Sequence, residues 1–153
     1  MKKVLLIFFL LPLSLLAAKR SSTIELQSAA TLFNVLLDCP TEQKMAEICQ
    51  SYKMTPLPSS DGFQAYQYKD GTVIRFKMEP NDTGKTLPVV EVQTNDSHKK
   101  LVKLLSSIGY TKEGNRYIKG HRFGKTLSVV TLRNSGKTLT LKATKVLNTP
   151  TTL

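Results

Sequence analysis

The sequence predicts an α+β fold: an N-terminal helical hairpin followed by an antiparallel sheet covered on one face by helices. Three observations predict it. Apolar residues recur at helical spacing over 26–37, 45–52 and 101–108. Period-two alternation fills much of the chain between and after those stretches. Asp70-Gly71 divides two alternating runs as a hairpin turn does.

Ahead of the first helix stands MKKVLLIFFLLPLSLLAA. Lys2 and Lys3 precede the apolar run Val4–Ala18, which ends on the small residues Ala17 and Ala18, the layout of a secretory signal peptide. The run is 15 residues long and contains Pro12, short of the ~20 apolar residues that span a bilayer. Residues 1–18 are therefore expected to be a cleaved signal peptide, 19–146 a single α+β domain, and 147–153 a frayed tail. The processed chain should lack a transmembrane segment and be exported, either periplasmic or secreted.

Ser22 with Glu25 makes a capping box, and Leu26, Ala29, Ala30, Phe33, Leu36 and Leu37 continue a first amphipathic helix to about Asp38. Cys39-Pro40 breaks it. Thr41 caps a second helix running to about Tyr52, with Met45, Ile48, Cys49 and Tyr52 on one face. MTPLPSS, Met54–Ser60, reads as a connector. Phe63–Lys69 and Thr72–Met78 form a hairpin about Asp70-Gly71; a two-residue turn pairs Lys69 with Thr72. That register puts Phe63, Ala65 and Gln67 with Ile74, Phe76 and Met78 on an apolar face, and Tyr66, Tyr68, Val73 and Arg75 on a mixed one. A third strand covers Leu87–Thr94. A helix follows from about Ser97 to Ile108, with Asp96 as cap and Gly109 as stop. Strands around Glu113-Gly114-Asn115, then Thr126–Arg133 and Thr138–Val146, complete the sheet.

The tetrapeptide GKTL begins at Gly84, Gly124 and Gly136. A phosphate loop needs another glycine five positions earlier. Glu79, Lys119 and Thr131 stand there, so no copy is a nucleotide loop. GKTLPVVEV (Gly84–Val92) matches GKTLSVVTL (Gly124–Leu132) at six of nine positions, and YKDGTVIRF (Tyr68–Phe76) parallels TKEGNRYIK (Thr111–Lys119). With a helix before each, the pattern suggests two αβββ repeats sharing one core.

Charge is the strongest functional signal. The net charge is +11, and removing Lys2 and Lys3 leaves +9. Lys19–Asp96 holds 8 basic and 10 acidic residues, whereas Ser97–Leu153 holds 12 basic residues and the single acid Glu113. Such asymmetry bears on partners rather than on fold. The expected partner is an anionic envelope surface, with peripheral membrane contact, or an acidic protein; nucleic acid is not expected. Candidate anion-binding residues are Lys99, Lys100 and Lys103 on the helix, and Arg116, Lys119, Arg122 and Lys125 in RYIKGHRFGK, where Tyr117 and Phe123 interleave with the cations. The stretch HKKLVKLLSSIGYTKEGNRYIKGHR resembles small toxin-type RNA-binding domains, in which a helix precedes a Gly-aromatic pair and a hairpin carrying His. The active-site context of that family is not matched, and no residue role is carried over.

Catalytic chemistry finds no pattern: His98, His121 and Asp96 match no metal-ligand spacing, and no serine lies in G-x-S-x-G. No cofactor is implied. Cys39 and Cys49 are the only cysteines, and in an oxidising compartment they suggest a disulfide. Yet a helix starting at Thr41 puts Cys49 about 12 Å along it, beyond the ~4.4–6.8 Å that a disulfide allows. The bond needs the helix to start later. The expected function is a small exported, non-catalytic binding protein of the bacterial envelope, docking through its basic C-terminal half. The alternative is a protein-protein adaptor or inhibitor (a secretion-machine accessory or toxin neutraliser) contacting its partner through Tyr66, Tyr68 and Arg75. N-terminal sequencing of exported protein should start at Lys19; a retained Met1 would refute cleavage.

Overall fold

The computed structural model describes residues 28–120 and 126–147. The expected leader, the Ser22–Glu25 capping box, and the tail after Leu147 lie outside the described residues. Among the described residues, eight strands form one open antiparallel sheet. They are β1 (Thr55–Ser60), β2 (Phe63–Gln67), β3 (Val73–Pro80), β4 (Thr86–Thr94), β5 (Thr111–Glu113), β6 (Arg116–Gly120), β7 (Thr126–Ser135) and β8 (Thr138–Leu147). Three short helices, α1 (Phe33–Leu36), α2 (Glu42–Ser51) and α3 (His98–Ser107), cover one face. None of them is long and apolar enough to cross a membrane.

The strand order is β1-β2-β3-β4-β8-β7-β6-β5. It reads as two halves, each a ten-residue helix followed by a four-strand meander, joined where β4 pairs with β8. A two-fold axis normal to a sheet reverses strand direction, so equivalent strands must be antiparallel. β4 and β8 meet that condition; β4 and β7, both antiparallel to β8, do not. Each half therefore has one strand more than the expected αβββ unit. The equivalent GKTL copies are those opening β4 and β8, after Gly84 (φ +75) and Gly136 (φ +63), not the longer match. Gly124, which opens the longer match, lies outside the described residues.

The helical hairpin expected at the N-terminus is not evident among the described residues. A 3-10 turn, Ala29–Thr31, precedes the single turn of α1. The Ser28 hydroxyl accepts from the Ala30 N–H (3.3 Å), starting a new element where the sequence suggested continuous helix. Ala29, Ala30, Leu32, Phe33, Leu36 and Leu37 are buried while Thr31, Asn34, Val35 and Asp38 face outward, so the segment has the expected apolar stripe although not the continuous helix. It packs against β4, at the middle of the sheet.

The expected connector Met54–Ser60 is largely strand β1, the sheet edge. Proline is tolerated there because an edge strand leaves some N–H groups without a ladder partner. Pro56 lies opposite Tyr66, and Pro58 falls within the irregularity between Leu57 and Ser60.

The first hairpin has the expected strands but a register shifted by one. Gln67 faces Val73 and Tyr66 faces Ile74. The loop is three residues, Lys69-Asp70-Gly71, closed by the Tyr68 N–H donating to the Thr72 carbonyl (2.8 Å), with Gly71 left-handed at φ +86. The Asp70 carboxylate accepts from the Thr72 N–H (2.8 Å), which fixes the longer turn. A one-residue shift exchanges faces. Tyr66 therefore joins Ile74 and Phe76 beneath the helices, and Phe63 and Ala65 share the uncovered face with Arg75.

α2 and α3 end alike. The Met54 N–H donates to Cys49 O (3.1 Å) and Lys53 N–H to Gln50 O (2.8 Å); Tyr110 N–H donates to Leu105 O (3.0 Å) and Gly109 N–H to Ser106 O (3.2 Å). Both are Schellman caps, whose first residue past the cap must be left-handed. Gly109 (φ +92) fills that place in α3 and Lys53 (φ +56) in α2, a conformation costing a non-glycine residue about 1 kcal/mol. At the other end of α3 the capping side chain is Ser97, accepting from the Lys100 N–H (3.3 Å), and not Asp96.

The register has a direct consequence. Tyr66→Ala should lower unfolding free energy by about 3 kcal/mol, as for other large buried aromatics, measured by urea denaturation. A loss within ~0.5 kcal/mol, as at an ordinary surface site, would refute the observed pairing.

Candidate functional site

Strand alternation and helix position decide where each late cation goes. Tyr117 and Lys119 point to the helical face of β6, and Arg116 and Ile118 to the uncovered face, since Tyr117 pairs with buried Val130. Arg116 and Lys119, expected on one surface, thus straddle their strand. Lys119 lies beside the end of α3, with Nζ 5.7 Å from the Tyr110 ring centre. Lys99 sits near the start of α3, about 15 Å away by helical rise, and Lys103 one turn on from it. Arg122 and Lys125 fall outside the described residues.

Within that set, charge pairing is sparse. Lys100 meets Asp96 at 2.5 Å, and Lys145 meets Asp38 at 2.9 Å while reaching the Leu37 carbonyl (3.4 Å). Among the described residues, Lys99, Lys103, Lys112, Arg116, Lys119, Arg133, Lys137 and Lys142 have no carboxylate within salt-bridge distance. In the first half Lys44 pairs with Glu47, Lys77 with Glu79, and Arg75 with Asp61 and Glu91, while Lys53, Lys69 and Lys85 have no carboxylate within salt-bridge distance among the described residues. Lys112, Arg133, Lys137 and Lys142 were not among the candidates. Alternation marks Arg133 and Lys142 as sharing a face with Arg116 through the row Arg116–Thr131–Lys142, a pattern recognisable only once the strand pairing is known.

Lys112 and Lys119 on the helical side and Arg116 on the open side gather at the β5–β6 end of the sheet. A cationic end is therefore formed, not a cationic face. Its β5 edge is three exposed residues long, and lysine at such an edge also discourages strand addition.

The partner-contact candidates separate. Tyr66 is 7% exposed, stacked on Phe76 with ring centres 5.8 Å apart. Tyr68 is half-buried at the turn, on the helical side. Arg75 lies on the open face, its guanidinium 4.6 Å and the Lys77 ammonium 4.4 Å from the Phe63 ring centre.

Cys39 and Cys49 are both buried and unbonded. Thr41 caps α2, accepting from the Lys44 N–H (3.2 Å), so the helix begins where the separation argument placed it. The Cys39 thiol approaches the Val35 carbonyl (3.6 Å). Burial, then the Asp38 carboxylate, raises its pKa; burial, then Cys39, pushes Cys49 up to about 12. His98 is exposed at the first position of α3, and His121 lies outside the described residues.

The chain matches no protein-family model, and no characterised protein or solved structure shows significant similarity to it. The arrangement itself must therefore carry the functional reading.

The buried thiols make a testable case. Without reductant, native protein at pH 8 should take up no iodoacetamide on the scale of minutes, and unfolded protein two equivalents; no uptake after unfolding would show a disulfide. As pH rises past 9 the unfolded Cys49 thiol loses its proton while the folded one keeps it, so this group's contribution to stability falls.

Proposed function

We propose that the protein is a small exported binding protein of the bacterial envelope, without catalysis of its own, that docks an anionic surface end-on through its C-terminal half. The observation that carries this reading is the cluster of unpaired cations at the β5–β6 end and along α3, in a half with 12 basic residues and one acid after Asp96. Each Lys or Arg near an anionic bilayer contributes about 1 kcal/mol, so Lys99, Lys103, Lys112, Arg116 and Lys119 suffice for reversible attachment. The placement of Lys112, Arg116 and Lys119 on both sides of one sheet end suits a surface that approaches the end and wraps its rim. The symmetric strand order supports reading the halves as repeats of one helix-plus-meander unit, of which the second has become the contact half. The adaptor reading has less support, because Tyr66 is in the core and Tyr68 and Arg75 are on different faces.

Vesicle flotation tests the proposal. Vesicles rich in phosphatidylglycerol should carry the protein, neutral phosphatidylcholine vesicles should not, and 0.5 M salt should release it. Replacing Lys99, Lys103 and Arg116 together by Gln should weaken binding about a hundredfold with the thermal transition unchanged. Equal binding to both vesicle types would overturn it.

A further inference from the structure

A second site stands in the first half, away from the cationic end. Where the C-terminus of α2 meets the β2–β3 turn, a surface cavity of about 280 Å3 is lined by Lys53, Thr55, Gln67, Tyr68, Lys69 and Gly71. That volume is just under the ~300–1,000 Å3 of sites for drug-sized ligands, so its occupant must be small. The lining is mostly polar and carries two lysines and no acid. Neither lysine has a carboxylate partner among the described residues. The Lys69 Nζ stands 5.6 Å from the Tyr68 ring centre, and the ring, half-buried against the core, forms a fixed wall. The Thr55 hydroxyl and Gln67 amide supply neutral hydrogen-bonding groups.

Lys53 is the residue whose backbone sets it apart. Its place in the α2 cap calls for glycine, as Gly109 shows in the matching cap of α3, yet a lysine holds φ +56 there. The cap does not need its ammonium, because the carbonyls of Cys49 and Gln50 already accept from the Met54 and Lys53 N–H groups. The Lys53 ammonium lies at the negative end of the α2 dipole, worth about 0.3–1 kcal/mol, which offsets part of the left-handed backbone cost. What points to an anionic ligand is the second unpaired lysine, Lys69, on the same cavity with no acid in its lining. Two ammonium groups act as point charges on flexible stems, suited to a doubly charged, many-oxygen anion more than to a planar carboxylate, which favours the arginine fork. We propose that this cavity binds a small phosphomonoester, its phosphate held between Lys53 and Lys69 and its organic part against Tyr68.

The test is an amide NMR titration of the processed chain with glucose 6-phosphate, with glucose as the uncharged control. Saturable shifts at Lys53, Tyr68 and Gly71 are expected with the phosphate ester and none with glucose. Lys53→Gly keeps the left-handed backbone and should melt at the same or a higher temperature, yet bind about tenfold or more weakly. Lys69→Gln should lose affinity to a similar extent. Absence of saturable shifts, equal response to glucose, or wild-type affinity in either variant would overturn the proposal. Vesicle attachment by Lys53→Gly should be unchanged, so failure here is distinguishable from failure of the docking proposal.

Discussion

The pairing of β4 with β8 is the constraint on which the rest of the structure depends. Each half supplies a four-strand meander with one apolar face and one ten-residue helix, too little to close a core alone. Joining at β4 and β8 aligns Val90 with Ala143 and Val92 with Leu141, all fully buried, beneath elements from both halves. Burial of a Val or Leu side chain contributes about 1.5–3 kcal/mol, so these few positions matter on the scale of a whole domain's stability. The seam also fixes the N-terminal segment: α1 packs on β4, and the Asp38–Lys145 pair ties its end to β8.

That architecture explains how one sheet carries two electrostatic characters. In the first half, cations on the open face meet acids on neighbouring strands, as Arg75 does with Glu91 across the β3–β4 pair. The second half holds one acid after Ser97, and of its described cations only Lys100 and Lys145 meet a carboxylate, each on an acid outside that stretch. Alternation then distributes them to both sides of β6 and along β7 and β8. Mutual repulsion among exposed lysines is weak in water, so the fold tolerates an end whose charge suits an external anion.

Much of this was legible in the sequence. α2 and α3 follow from apolar spacing and from caps at Thr41 and Gly109, and most strands follow from alternation. Apolar spacing located the buried stripe of the N-terminal segment but could not reveal that it is a 3-10 turn and a single helical turn, because Ser28 restarts the chain. The hairpin was located correctly but paired one residue out: Asp-Gly serves two- and three-residue loops alike, and the Asp70–Thr72 hydrogen bond that chooses between them is not a sequence pattern. Prolines hid β1. The cations of the site were individually visible, but whether Arg116 and Lys119 share a surface depends on which face of β6 the helices cover. The cavity at Lys53 left only one trace, a lysine where a helix cap favours glycine.

Native-state hydrogen exchange read residue by residue tests the two-halves account most directly. The shared seam predicts that the amides of Val90, Val92, Leu141 and Ala143 exchange only through global unfolding, with one free energy common to both halves. Two separate free energies, with β5 to β8 opening while β1 to β4 stay protected, would contradict it.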